Sequence, residues 1–313
     1  MYLDSIEQHR STAVRVNDYD KSTVASPSPR YCIITAARDE EQFIADTIDS
    51  VCRQAIRPIE WIIVDDGSKD RTGAIVGSYL KDNSWIRLIT RKDRTYRSKG
   101  GGVEAFLEAY SMLHSHNWDY LVNLDADTTC APDYFEQCFE QFHRMPSLGI
   151  GGGTVYTKMG QDWQPEPAPA FHVRGAAKIY RKQCWEALGG LWPGLGWDTV
   201  DEVKANQLGW RTLSFPHVKL FQQRLSGQMW GAWRFAVMDG EADYIVGYLP
   251  LFFGLKCLRH VFSSPFFVRS LGMLYGYLRC VAQRSPRVDD QEFVKYLRRQ
   301  QLRRLLGMSS IWR

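Results

Sequence analysis

Apolar and polar positions along the chain fall into two alternating kinds of block. Runs that are apolar almost throughout, YCIITA at 31–36, EWIIVD at 60–65, IRLIT at 86–90 and DYLVNLD at 119–125, are separated by amphipathic stretches of helical period at 41–53, 70–81 and 100–115. A strand that is apolar on both faces must be covered on both. Helices between successive strands supply that cover, so the pattern predicts an α/β fold with a mostly parallel sheet between helices. Residues 1–29 are polar, show no sustained period and end in SPSPR, which predicts a disordered N-terminal tail. After Pro216 the strand-helix alternation stops. The expected division is a tail (1–29), an α/β domain (30–216) and an aromatic, helical C-terminal region (217–313).

Composition changes this picture mainly through charge. The 313-residue chain has a net charge of +4, which hides two opposite halves. From Lys204 onward 17 Lys and Arg face six acids, a net of +11, while residues 1–203 carry 22 basic and 29 acidic side chains, a net of −7. The basic part is aromatic as well, with YIVGYLPLFFGLKCLRHVF followed by SPFFVRSLGMLYGYLRCV. Such text suits helices lying in a membrane interface with Lys256, Arg259, Arg269 and Arg279 directed at anionic headgroups. The bland alternative is a helical appendage packed on the rest of the protein. Nucleic acid is not expected, because no recognition motif accompanies the basic residues. The longest uncharged apolar run, 244–255, is too short to span a bilayer and contains Pro250. Seven cysteines without a CxxC pair argue against both a disulfide framework and a zinc site. With no apolar leader in MYLDSIEQHR, a cytoplasmic protein, peripheral at the inner face of the cell membrane, is expected.

In parallel α/β sheets ligands collect at the carboxyl ends of the strands. Here those ends carry Ala37-Arg38-Asp39, Asp65-Asp66-Gly67-Ser68, the segment 91–102, and Asp125-Ala126-Asp127. Two carboxylates at Asp125 and Asp127, leaving a strand together, are what a hard ion such as Mg²⁺ or Mn²⁺ requires; a turn with helix-capping acids is the structural alternative. Gly67 allows a tight turn and Asp70 can cap the next helix, which leaves Asp65 and Asp66 to accept hydrogen bonds from a base or ribose. Lys99, before Gly100-Gly101-Gly102 at a helix start, suits a phosphate. Further on, Thr199 and Glu202 have capping-box spacing, which would leave Asp198 outside the helix and facing a cleft. Trp192 and Trp197 beside it are either sugar platforms or core.

Taken in order, TAARDEEQFIADTIDSV, IIVDDGSKDRT, KGGGVEA, NLDADT, Gly189-Gly190 and WDTVDE resemble the family 2 glycosyltransferases of exopolysaccharide and O-antigen type, across roughly residues 31–216. The resemblance implies a GT-A nucleotide-diphospho-sugar transferase fold. It implies that Ala37, Arg38, Asp39 and Asp66 hold the base and ribose of a UDP- or GDP-sugar, with Lys99 by the nucleotide. It makes Asp125 and Asp127 the DXD pair for Mg²⁺ or Mn²⁺, and puts Asp198 in the place of the catalytic aspartate. Trp197 stands where many members have Glu, and Asp201 is the alternative base. Phe221-Gln222-Gln223-Arg224 lacks the tryptophan of a processive QxxRW signature, which argues against a processive polymerase; Arg224 is a candidate for the diphosphate. The expected activity is inverting, metal-dependent transfer to a hydroxyl of a glycan, or lipid-linked glycan, acceptor. A polyprenyl-phosphate glycosyltransferase and a nucleotidyltransferase of the same fold class are the alternatives.

Overall fold

The computed structural model describes residues 28–92, 102–159, 162–224, 231–262 and 266–312. Strands β1 (Tyr31–Ala37), β2 (Glu60–Asp65), β3 (Ile86–Thr90) and β4 (Tyr120–Leu124) alternate with helices α1 (Ile44–Cys52), α2 (Thr72–Tyr79) and α3 (Val103–Ser111). All pairings among these four strands are parallel, in the order β3-β2-β1-β4. The alternation along each strand explains the layers. Tyr31, Ile33, Trp61 and Ile63 face one core with Ile44, Ile48 and Val51 of α1, while Cys32, Ile34, Ile62 and Val64 face the other with Val103, Phe106 and Ala109 of α3. Each such side chain contributes roughly 1.5–3 kcal/mol on burial, so a one-residue slip in register would forfeit both cores at once. Gly102 is needed at the start of α3, because a Cβ there would lie 2.3 Å from that of Ala36.

Past β4 the sheet departs from the expected mostly parallel arrangement. Strand β5 (Thr128–Cys130) and helix α4 (Tyr134–Arg144) lead to β6 (Leu148–Met159), β7 (Asp162–Pro165), β8 (Ala177–Arg181), α5 (Lys182–Leu188), α6 (Trp197–Gln207) and β9 (Arg211–Gln222). Strand β8 joins β4 and β6 antiparallel, β9 joins β6 parallel and β5 antiparallel, so the sheet is mixed. Glycines mask β6 in the sequence, and packing requires them: a Cβ at Gly151 would lie 2.6 Å from the Phe215 ring and one at Gly153 2.6 Å from the Val218 carbonyl. The expected boundary at 216 falls inside β9, which continues its pairing with β6 to Gln222. Of the expected tail, residues 1–27 lie outside the described residues.

Among the described residues helices α7 (Ala232–Val246), α8 (Pro250–His260), α9 (Val268–Gln283) and α10 (Gln291–Leu305) follow. Gly247, at φ 90°, ends α7 and Pro250 opens α8, which breaks the apolar run 244–255. Among the described residues no helix is long and apolar enough to cross a membrane. The region shares a core with the α/β part: Phe293 and Leu297 of α10 and Val246 of α7 pack on Val200 and Val203 of α6. Helices α7 and α9 approach closely through glycines, since a Cβ at Gly276 would meet the Val237 carbonyl at 2.1 Å and one at Gly240 the Met273 carbonyl at 1.9 Å. Overpacking such a contact costs about 1–3 kcal/mol or more. Gly276→Leu is therefore expected to lower the urea midpoint clearly. Gly254→Ala, in α8 with nothing within 4 Å, is expected to leave it unchanged or raise it; equal effects would contradict the packing described.

Candidate functional site

The loops leaving β1 and β2 are fastened to each other, which fixes the first wall of the site. Asp39, at φ 57°, accepts from the Lys69 amide at 2.8 Å through Oδ1 and donates its own amide to Ser68 Oγ at 3.0 Å. The Glu40 amide donates to Thr72 Oγ1 at 2.7 Å, and the Glu41 amide to Asp70 at 3.0 Å. Asp70 also receives the Thr72 amide and hydroxyl, but it stands one residue before the N-cap of α2, Arg71, which has no side-chain cap. Asp65 is occupied by the fold, because it accepts from the Ser68 amide at 2.9 Å and its other oxygen sits over Gly73, where a Cβ would lie 2.6 Å away. Asp66 is buried at the rim, held by Arg91 at 2.8 Å, with its amide on the Ala37 carbonyl. Ala37 is itself core, so it can offer only backbone. Arg38 lies beside Asp39 at 4.0 Å. Lys99 lies outside the described residues.

The end of β4 supplies the second wall. Asp127 is buried and lies beside Asp125; Gln222 Nε2 donates to Asp127 Oδ1 at 3.2 Å and reaches Asp125 Oδ2 at 3.4 Å. Arg224 Nε donates to Asp127 Oδ2 at 3.2 Å, and its NH2 pairs with Glu40. One guanidinium thereby ties the loop after β1 to the loop after β4, with its central carbon 5.3 Å from the centre of the Phe43 ring. Burial, the Asp127 charge and the Glu40 charge push the Asp125 carboxyl up to about 7, although Arg174 and Arg224 oppose the shift. Crowded negative charge of this kind would be eased by a cation. Among the described residues no three His, Cys, Asp or Glu side chains converge on one ion position. A hard ion held by two carboxylates and completed by phosphate oxygens fits Asp125 and Asp127.

Helix α6 forms the third part. Asp198 lies in its first turn, not outside it, and the N-cap position is Gly196 (φ 85°), with no side-chain cap. Glu202 is not part of a capping box. Its carboxylate is wholly buried and takes the Val173 amide at 2.7 Å, His172 Nδ1 at 2.8 Å and Lys178 Nζ at 3.0 Å. Asp201 is equally committed, to Lys178 at 3.1 Å and the Tyr180 hydroxyl at 2.5 Å; burial, aided by Glu202, pushes it up to about 7 against the pull of Lys178. Lys178 Nζ also donates to the Asp198 carbonyl at 3.0 Å and stands 5.2 Å from the Trp197 ring. Trp197 is thus half-buried, packed between this cation and the edge of the second core. The Asp198 carboxylate is the acid of the three with no side-chain hydrogen bond to another residue among those described. Burial raises its proton affinity, but His172, Lys178 and Arg174 outweigh burial and hold it below the ordinary value. Arg174, paired with Glu166 at 2.8 Å, is near enough to lower the proton affinity of both Asp125 and Asp198.

Sequence pattern alone does not single out Glu40, His172, Arg174 or Lys178. Lys178 carries a usable signal, a lysine inside the apolar strand text AKIY. The others lie in loops without a readable period.

The family model described as "Glycosyl transferase family 2" matches residues 32–194. The relative described as "Uncharacterized glycosyltransferase EpsJ" of Bacillus subtilis is 43% identical over 83 residues, 26% of this chain and 24% of its own length. The poly-beta-1,6-N-acetyl-D-glucosamine synthase of Staphylococcus aureus is 28% identical over 120 residues, 38% of this chain and 27% of its own. The chain thus spans about a quarter of the length of these curated relatives. In fold it is similar to the mannosyltransferase PcManGT from Pyrobaculum calidifontis, solved with GDP-Man and Mn²⁺, at a TM-score of 0.54 and 16% identity over 90% of this chain and 76% of that one.

The charge cluster makes a stability prediction. Lys178→Met leaves buried carboxylates without their cation, which costs about 3–5 kcal/mol. Asp201 has a raised folded-state pKa, so its proton stabilises the fold at low pH and that contribution is lost as pH rises through about 7. Without Lys178 the ionised form is worse still. Thermal melts should therefore show a deficit for the variant that widens from about pH 6 to about pH 8; a deficit independent of pH would contradict the cluster.

Proposed function

The chain belongs to glycosyl transferase family 2, and on that premise we propose that it moves a sugar, with inversion, from a nucleotide-diphospho-sugar to a hydroxyl of a glycan acceptor in cell-surface polysaccharide synthesis. The observation that carries this reading is the division of labour among the acids. Asp65, Asp201 and Glu202 are committed to the fold, Asp125 and Asp127 form a crowded pair, and Asp198 is ionised with its carboxylate uncommitted.

In this reading the nucleoside lies against the loop Ala37-Arg38-Asp39 and Asp66, with Lys99 reaching the nucleotide. Asp127 and Asp125 would hold Mg²⁺ or Mn²⁺, which would supply Lewis-acid stabilisation of the departing diphosphate. Arg224 keeps the Asp127 carboxylate in place and adds a positive charge beside the diphosphate, and Arg174 adds one near Asp125 and Asp198. Asp198 accepts the acceptor hydroxyl's proton as the oxygen attacks the anomeric carbon, and the sugar–diphosphate bond breaks in the same displacement. His172, Lys178 and Arg174 serve by keeping Asp198 in the ionised form that a base requires. Asp201, between Lys178 and Tyr180, orients the helix that carries Asp198 and takes no proton from the acceptor.

The acceptor in this reading is lipid-linked and is met at the cytoplasmic face of the membrane. Support comes from the segment of α8 and α9, which turns Leu258, Phe262, Phe266, Leu271 and Leu278 outward, each more than half exposed. Asp198→Asn is expected to keep donor affinity and lose transfer by about 10²–10⁴-fold. Measured by initial rates with saturating donor, near-wild-type turnover would remove Asp198 from the role.

A further inference from the structure

The second half of the chain contains a groove of about 1130 Å³ between the loop at 167–170 and helices α8, α9 and α10. That loop belongs to the segment between β7 and β8, far from the acids of the metal pair in sequence. The groove's floor is aromatic: the Trp312 ring stands 5.6 Å from Phe252 and 6.4 Å from Tyr248. Its other lining is basic, with Lys256, Arg259, Arg269 and Arg304 from three helices. Two of these cations are already partly used, Lys256 on Asp243 at 2.7 Å and Arg269 on Asp239 at 3.3 Å. The buried Nε of Arg269 nevertheless lacks an acceptor among the described residues. Arg259 and Arg304 are exposed and are not paired with any described carboxylate. The surplus of positive charge is felt inside the groove, where burial together with Arg269, Lys256 and Arg259 presses His260 down to about 4.

Two further observations give the groove a direction. Tyr248, which lines the groove, has its hydroxyl against Thr199, next to Asp198. At its outer side Leu255 lines the groove and is also part of an exposed stripe. Leu251, Leu255, Leu258 and Phe262 follow one another at spacings of four, three and four, one face of α8 continued past its end, and are 61%, 45%, 62% and 79% exposed. A basic cavity with one lining residue against the Asp198 turn and another on an apolar stripe matches a ligand with a charged head and a hydrocarbon chain.

We propose that the groove binds an amphiphilic phosphate, the anchor of the acceptor, with its phosphate held by Arg259, Arg269 and Arg304 and its hydrocarbon chain running along the Leu251–Phe262 stripe. The inference rests on the glycosyltransferase reading only for the word acceptor; the binding site itself is independent of it. Guanidinium groups suit phosphate oxygens, and charge-assisted bonds of this kind are about twice as strong as neutral ones. The aromatic floor takes the first carbons of the chain, and the sugar end of the acceptor extends past Tyr248 toward Asp198.

The test uses decyl phosphate below its micelle concentration, with decanol and inorganic phosphate as the separate halves of the ligand, titrated calorimetrically into the full chain. Decyl phosphate should bind the wild type more than about tenfold better than either half. Arg259→Gln with Arg304→Gln should weaken decyl phosphate by more than about tenfold and remove inorganic phosphate binding. Leu258→Glu, on the exposed stripe, should weaken decyl phosphate and leave inorganic phosphate unchanged. Both variants should retain wild-type nucleotide-sugar hydrolysis with Mn²⁺, because neither touches the donor site. Inorganic phosphate binding as tightly as decyl phosphate would reduce the groove to an anion patch, decanol doing so would reduce it to an apolar one, and unchanged binding by the double variant would overturn the assignment. Absence of donor hydrolysis in the wild type would instead strike at the transferase reading and leave the groove's binding result standing.

Discussion

Strands β1 and β4 lie side by side and parallel, yet the chain leaves them for opposite sides of the sheet. From β1 it proceeds to β2 and β3, from β4 toward β8, β6 and β9. Where strand order reverses in this way the two departing loops separate and leave a crevice at the carboxyl end of the sheet. The rest of the site follows from that reversal. It brings Arg38, Asp39 and Glu40 opposite Asp125 and Asp127, although the two groups are far apart in sequence. Arg224, delivered by the end of β9, closes the arrangement by bonding to both sides.

Assembling so many acids at one edge carries an electrostatic cost, and the molecule meets it in two different ways. Around Asp201 and Glu202 the compensation is internal: Lys178 sits at zero exposure between them, with Tyr180 and His172 completing the hydrogen bonds. A buried cluster of this kind adds little net stability over apolar packing, but it tolerates only one arrangement of its members. Around Asp125 and Asp127 the partners are Gln222, which reaches both carboxylates, and Arg224, which bonds to Asp127 and Glu40. The contrast separates a carboxylate pair with a cation buried between its members from one bridged by a neutral amide.

The legible part of this architecture is the part written in unbroken periodicity. Strands β1 to β4 and their helices stand out because each run is apolar on both faces, and Asp66, Asp125 and Asp127 are found simply by asking what ends each run. The second half is harder for identifiable reasons. Strand β6 is written with glycines that make room for Phe215, Val173 and the Val218 carbonyl, so it carries little strand propensity. The S/T-x-x-E spacing at Thr199 and Glu202 points to a cap, whereas Lys178, His172 and the Val173 amide, distant in sequence, claim the Glu202 carboxylate. The basic C-terminal third reads as helical, but its shared core with α6 depends on Phe293 and Leu297 meeting Val200 and Val203, a long-range pairing that no local pattern encodes.

In the proposed reading Asp125 and Asp127, held by Gln222 and Arg224, form a cation site that a nucleoside diphosphate completes. Electron paramagnetic resonance of Mn²⁺ titrated into the protein, with and without GDP or UDP, tests it directly. The diphosphate is expected to increase markedly the Mn²⁺ withdrawn from solution by the wild type. Asp127→Asn is expected to weaken this retention by more than about tenfold, while Asp201→Asn leaves it intact. Equal retention by wild type and Asp127→Asn, or no dependence on the nucleotide, would contradict it.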